Sequence, residues 1–321
     1  MKRILARRHG GADEMRLEEA PVPDPGPGQA LVRVEAAGVN FIDVYLRTGL
    51  YGGTLPVAMG LEGAGVVETV GEGAGLAAGA RVAWTGIPGS YATHVLAPAD
   101  RLVPLPAGID ARSGAAAMLQ GMTAHYLVHS TARLAPGDAC LVHAAAGGVG
   151  LLLCQMARSA GARVIGTVST AEKAALSRAA GAGDVVLYRD EDFEAAVRRL
   201  TEGRGVRVVF DSVGKDTFER SLGCLAPRGL CVLYGASSGP VSPFDPQVLN
   251  AKGSVFLTRP SLNHHIATRE ELMARAGDVL GWIAQGKLKL RIGGEYPLAE
   301  AARAHSDLEA RRTTGKLLLI P

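Results

Sequence analysis

The sequence predicts an α/β protein of two domains, a β-rich unit followed by a doubly wound parallel sheet. Three observations carry this. The first third holds short strands separated by Gly and Pro, later segments alternate apolar strands with helical patterns, and one of those strands runs into a glycine turn that opens a helix. At 321 residues, 47% of them hydrophobic, the chain exceeds the size at which one core usually divides.

In the β-rich part, the loop Pro21 to Gly28 precedes an alternation of Val32, Val34 and Ala36 with Arg33 and Glu35. Further strands are expected at Gly65–Gly71, Arg81–Trp84 and Tyr91–Leu96, spaced as a barrel-like unit requires. The texture changes near residue 120. Strands are expected at Cys140–His143, Val164–Val168, Asp184–Leu187, Val206–Phe210 and Gly229–Tyr234, with helices between them, as in a parallel sheet covered on both faces. A helix near Glu270 to Gln285 leads to Lys316–Ile320, which reads as a strand returning to the first domain. Residues 1–119 and 262–321 are thus assigned to one domain and 120–261 to the other.

Composition narrows the function. A balance of 34 Lys+Arg against 31 Asp+Glu gives a net charge of +3, too small and dispersed for nucleic acid or a charged membrane surface, so a small-molecule partner is expected. Two stretches run without charge, Ser113 to Ala132 and Ala139 to Ala157. Gln120, His125 and His129 interrupt the first and Gly147, Gly148 and Gly150 the second, so neither reads as a membrane span. The start lacks an apolar run of signal-peptide length, and a cytoplasmic setting is expected. The four cysteines, 140, 154, 224 and 231, show no two-residue zinc spacing and are expected to be buried thiols.

The strand ending at His143 leads through Ala144-Ala145-Ala146-Gly147-Gly148-Val149-Gly150 into a helix that Gly161 closes. Glycines let a backbone approach a pyrophosphate, whose charge meets free N–H groups at the helix start. Against the G-x-G-x-x-G pattern, Ala145 replaces the first glycine, and Gly147 and Gly150 hold the other two. The next strand ends Thr167-Val168-Ser169-Thr170, without the acidic residue that binds the ribose 2′-hydroxyl of NAD. Ser169, Thr170 and Lys173 offer hydroxyls and a cation to a 2′-phosphate instead, which favours NADPH.

The glycine turn and Phe210-Asp211-Ser212-Val213-Gly214 resemble the zinc-independent NADPH:quinone oxidoreductases, the zeta-crystallin-like group of the medium-chain dehydrogenase/reductase superfamily. So do Gly38 to Asp43, Gly49-Leu50-Tyr51, Tyr234-Gly235, Thr258 to Leu262 and Leu318 to Pro321, over essentially the whole chain. The resemblance implies a GroES-like catalytic domain built from both chain ends, a Rossmann domain, NADPH in the cleft between them, and pairing as a homodimer. It assigns cofactor contacts to Asn40, Tyr126, Gly148, Val149, Ser169 through Lys173, Tyr188, Ser212, Tyr234, Gly235, Ala236, Ser237, Arg259 and Arg311.

Zinc-containing relatives place a Cys ligand where this chain has Asn40 and a His ligand where it has Leu61, before Glu62. An amide and a leucine cannot complete a zinc tetrahedron, so no metal is expected. Hydride transfer then requires an acceptor that is already electrophilic, a quinone or a conjugated carbonyl compound. Tyr51 and Asn40, with Tyr45 after them, are the expected donors to the acceptor oxygen, Tyr51 either polarising it, protonating the product or serving as a pocket wall. Alternatives are an enone or enoyl-thioester reductase and, in another class, a non-catalytic NADPH-binding protein with a structural or RNA-associated role.

Overall fold

Strands form from the start of the chain in the computed structural model, which describes residues 1–321. β1 (Lys2–Ala6) and β2 (Met15–Glu19) pair antiparallel. Next come β3 (Gln29–Val39), α1 (Phe41–Thr48), β4 (Val57–Ala58), β5 (Glu62–Val70), β6 (Arg81–Thr85), β7 (His94–Pro98), β8 (Val103–Pro104) and α2 (Ala111–Tyr126). The Tyr91–Leu96 segment differs from expectation, since ladder pairing begins only at His94. Tyr91 is instead turned wholly into the core.

The parallel sheet follows: β9 (Ala139–Val142), α3 (Gly148–Ser159), β10 (Arg163–Val168), α4 (Ala171–Ala179), β11 (Asp184–Leu187), α5 (Phe193–Leu200), β12 (Val206–Asp211), α6 (Phe218–Gly223), β13 (Leu225–Leu233), α7 (Gln247–Ala251) and β14 (Phe256–Thr258). Its order, β11-β10-β9-β12-β13-β14, is that of the doubly wound dinucleotide fold. Strand order reverses between β9 and β12, so the glycine turn after β9 lies at the point where such sheets take a ligand. Leu141, Ile165, Val209 and Cys231 pack the core beneath it.

The chain closes with α8 (Arg269–Ala284), β15 (Ile292–Pro297), α9 (Ala301–Glu309) and β16 (Lys316–Ile320). β16 returns to the first sheet, pairing Leu317 with Val39 and Leu319 with Ala37 of β3. That sheet runs β15-β16-β3-β5-β6-β8, with β7 also on β3, around a core containing Trp84, Val34 and Leu317. Two compact units result, Met1–Met122 with Ile266–Pro321, and Thr123–His265. No helix is long and apolar enough to cross a membrane, and the charge-free stretch from Ser113 forms α2 and a π-helical segment, Leu127–Ala132.

Candidate active site

The dinucleotide turn is built by close backbone approach. A Cβ on Gly150 would lie 2.3 Å from the Ala144 carbonyl oxygen and 2.8 Å from the Ala145 Cα. Gly147 caps α3, whose first N–H groups have no helical acceptor, an arrangement that suits an anion. The alanine at the first fingerprint position is accommodated across the sheet, because a Cβ at Gly166 would come within 2.9 Å of the Ala145 Cβ. The missing side chain at Gly166 therefore makes room for Ala145.

Other expected cofactor residues gather at the C-terminal ends of these strands. Ser169 and Thr170 follow β10, with Thr170 Oγ1 accepting the Lys173 N–H at 3.3 Å to start α4. Exposed Glu172 is the only acid in that first turn. Tyr188 follows β11 and Ser212 follows β12. Buried Asp211 shapes the Ser212 loop by accepting from Val213 N (2.8 Å), Gly214 N (3.0 Å), Thr217 Oγ1 (2.8 Å) and Ser221 Oγ (2.8 Å). Tyr234, Gly235, Ala236 and Ser237 follow β13, and a Cβ on Gly235 would stand 2.5 Å from the Ser212 carbonyl oxygen. Burial pushes the Tyr234 phenol up, with Ser212 hydrogen-bonded to it. Arg259 holds the Leu233 carbonyl at 2.9 Å, and Tyr126 stacks on His265 with ring centroids 4.2 Å apart. These surroundings suit a dinucleotide: a cradle open only to glycine, a helix N-terminus and hydroxyls at the strand ends. Arg311 belongs to the other unit, in a left-handed turn after α9.

In the unit made by both chain ends, α1, its N-cap and the turn after it hold the expected acceptor residues. Asn40 is its N-cap and donates its backbone N–H to Asp43 Oδ2 at 2.8 Å. Tyr45 projects from the helix against Phe41 and against Tyr51, whose ring lies 4.9 Å away and is 46% exposed. Asn40 was expected to donate to an acceptor oxygen, but both of its amide hydrogens are already committed, to Glu62 Oε2 at 2.8 Å and Gly38 O at 3.3 Å. Its Oδ1 in turn accepts from Lys316 Nζ at 2.8 Å and Gln120 Nε2 at 3.2 Å.

A second buried network adjoins the first. Tyr91 donates to Asp43 Oδ2 at 2.8 Å, His305 Nε2 lies 3.1 Å from the Tyr91 hydroxyl, and Arg47 approaches His305 Nδ1 at 3.2 Å. Arg47 also forks onto Glu309 at 2.8 and 3.0 Å. Guanidinium only donates, so Nδ1 must accept and Nε2 must carry the hydrogen, giving a chain of donors that ends on Asp43. Burial pushes Asp43 up to about 7 and His305 down to about 3, the latter helped by the Arg47 charge. Asp43, Tyr91, His305, Glu62 and Lys316 were not anticipated as site residues. Their partners lie far away in sequence; only the buried acid beside Asn40 offered a local hint.

All four cysteines are unpaired and buried, and burial pushes Cys154 and Cys224 up to about 12. The chain matches the family models "Alcohol dehydrogenase GroES-like domain" over residues 26–107 and "Zinc-binding dehydrogenase" over 148–275. It is 47% identical to quinone oxidoreductase of Pseudomonas aeruginosa, over 100% of this chain and 99% of that one. It is 43% identical to 2-haloacrylate reductase of a Burkholderia species, over 99% and 98%. The crystal structure of Escherichia coli quinone oxidoreductase complexed with NADPH superposes with a TM-score of 0.98 at 44% identity, covering 100% of both chains. The zinc in the second model's name does not suit this donor set. Asn40 and Leu61 are poor ligands, and the one carboxylate among them, Glu62, is already paired with an ammonium.

Proposed function

Because this chain belongs to the quinone oxidoreductase group of the medium-chain dehydrogenase/reductase family, we propose that it oxidises NADPH and reduces quinones without a metal. Agreement over the full length with an NADPH-bound quinone oxidoreductase carries this reading. The residues just after β10, Ser169 and Thr170, carry hydroxyls where an acid would bind the ribose of NAD, and Lys173 follows in α4, which supports it. NADPH, when bound, supplies the hydride.

The residues divide the remaining work between the catalytic domain, 1–119 with 262–321, and the cofactor domain, 120–261. Gly147, Gly148, Val149 and Gly150 receive the pyrophosphate, and Ser169, Thr170 and Lys173 receive the 2′-phosphate. Tyr126, Tyr188, Ser212, Tyr234 through Ser237, Arg259 and Arg311 hold the rest of the cofactor. Tyr51, backed by Tyr45, donates a hydrogen bond where negative charge develops on the acceptor oxygen, and Asn40 anchors the helix that carries Tyr45 and leads to Tyr51.

A second reading, reduction of α,β-unsaturated acids or carbonyls, draws support from the 43% identity to a 2-haloacrylate reductase. NADPH oxidation should be followed with 1,4-benzoquinone, an enone, a crotonyl thioester and 2-chloroacrylate side by side. Fastest turnover is expected with the quinone. Faster turnover with the conjugated acids or carbonyls would transfer the assignment to the second reading, and turnover with none would remove both. A homodimer is part of the proposal, supported by the open edge of β14 with Phe256 60% exposed. So is a cytoplasmic setting, which unpaired buried thiols suit.

A further inference from the structure

Asn40 is 4% exposed and its amide is saturated, with Nδ2 donating to Glu62 Oε2 and Gly38 O and Oδ1 accepting from Lys316 Nζ and Gln120 Nε2. Glu62 is fully buried; its Oε1 accepts the Leu119 N–H at 2.5 Å and its Oε2 pairs with Lys316 Nζ. Lys316, at the start of β16, is 2% exposed. The cluster needs glycine at 38, since a Cβ there would stand 2.3 Å from Glu62 Oε2 and 2.7 Å from Lys316 Cε.

An amide flips between two orientations of similar shape, and its neighbours choose one. Ammonium only donates and carboxylate only accepts, so Lys316 draws Oδ1 while Glu62 draws Nδ2, and the reversed amide would face two repulsions. Each ion in isolation would be costly to bury, and together they leave the site neutral.

We propose that Lys316 and Glu62 are positioning residues for hydride transfer, an internal ion pair that fixes the Asn40 amide. Through Asn40 the pair sets the start of α1, the helix that carries Tyr45 and leads to Tyr51. The inference rests on the reading that these tyrosines face the acceptor.

The single change Lys316→Met strands a buried carboxylate, which endangers the fold itself. The double variant Lys316→Met/Glu62→Gln removes both charges at similar volume and is the one to measure, as full-length enzyme with NADPH and 1,4-benzoquinone. Expected is a kcat lower by roughly tenfold to a hundredfold, as small displacements of a reacting group produce. NADPH dissociation, read by fluorescence, and the folded fraction, read by thermal unfolding, should stay close to the parent. Tyr51→Phe is measured beside it. Slower turnover in Tyr51→Phe with an unchanged kcat in the double variant overturns this inference alone. A double variant whose loss only tracks its folded fraction also overturns it. If Tyr51→Phe leaves kcat unchanged, the acceptor-site reading fails and the inference falls with it.

Discussion

At the residue scale, two buried groups shifted in opposite directions set a pH dependence. Asp43 is raised from its ordinary 3.8 to about 7, chiefly by burial, against the hydrogen bonds from Tyr91 and Asn40 and the Lys316 charge. A carboxyl raised on folding contributes stability below about 4 that is lost as pH rises through about 7. His305 is lowered from 6.5 to about 3 by burial and by Arg47, so its contribution is complete above 6.5 and is lost as pH falls toward 3. Between about 4 and 6.5 the two slopes, each about 1.4 kcal/mol per pH unit, oppose one another. Asp43→Asn should therefore become less stable than the parent as pH falls across this range, and His305→Gln less stable as pH rises. Urea unfolding at several pH values measures both, and parallel curves for all three proteins would sink the assignment. Lys173 gives a second prediction. A charged hydrogen bond to a 2′-phosphate is worth about 1.5–3 kcal/mol, so Lys173→Ala should raise KM for NADPH roughly tenfold or more and hardly touch that for NADH. Equal effects on both cofactors would remove the 2′-phosphate role.

At the scale of elements, the β9 turn and α3 depend on one glycine more than on its neighbours. A Cβ on Gly150 would strike the Ala144 carbonyl oxygen at 2.3 Å, whereas one on Gly147 would meet it at 3.2 Å. Gly150→Ala must push backbone apart, at a cost of about 1–3 kcal/mol, and should weaken NADPH binding, while Gly147→Ala should be the milder change in both respects. Thermal unfolding and NADPH titration compare them, and a Gly150→Ala protein as stable and as tight as the parent would refute the close-packing account. This element was legible in the sequence because its constraint is local: strand, glycines and helix stand within a dozen residues. The parallel strands were legible for the same reason, as apolar runs bounded by turns. The Asn40 environment was not. Lys316 opens the apolar strand Lys316–Ile320 and reads as an end residue, yet its partner Glu62 is 254 positions away. Tyr91 and His305 meet across 214 positions. Periodicity reports which face of an element is buried and says nothing of which distant polar group shares that burial. α1 escaped notice because Phe41, Ile42, Val44 and Tyr45 favour strands as residues, and only the cap formed with Asp43 turns the segment helical.

For the whole molecule, the parallel sheet ends at β14, a three-residue strand bonded to β13 on one side and open on the other. Phe256 on it is 60% exposed, the most accessible large hydrophobic residue of the chain. An open edge with an apolar side chain is a template for another strand, and in the proposed homodimer a second copy of the same edge would satisfy it through a twofold axis, joining two six-stranded sheets. β11 at the opposite edge is a poorer template, since the salt bridge between Arg163 and Asp184 places charge at its start. Light scattering after size exclusion should accordingly find twice the 33.2 kDa chain mass. Phe256→Asp puts like charges face to face across the axis and removes apolar area, so it should shift the protein toward monomer at micromolar concentration. The monomer should retain NADPH binding, because the glycine turn follows β9, three strands in from β14 at the middle of the sheet. A Phe256→Asp protein that remains fully dimeric would place the interface on another surface.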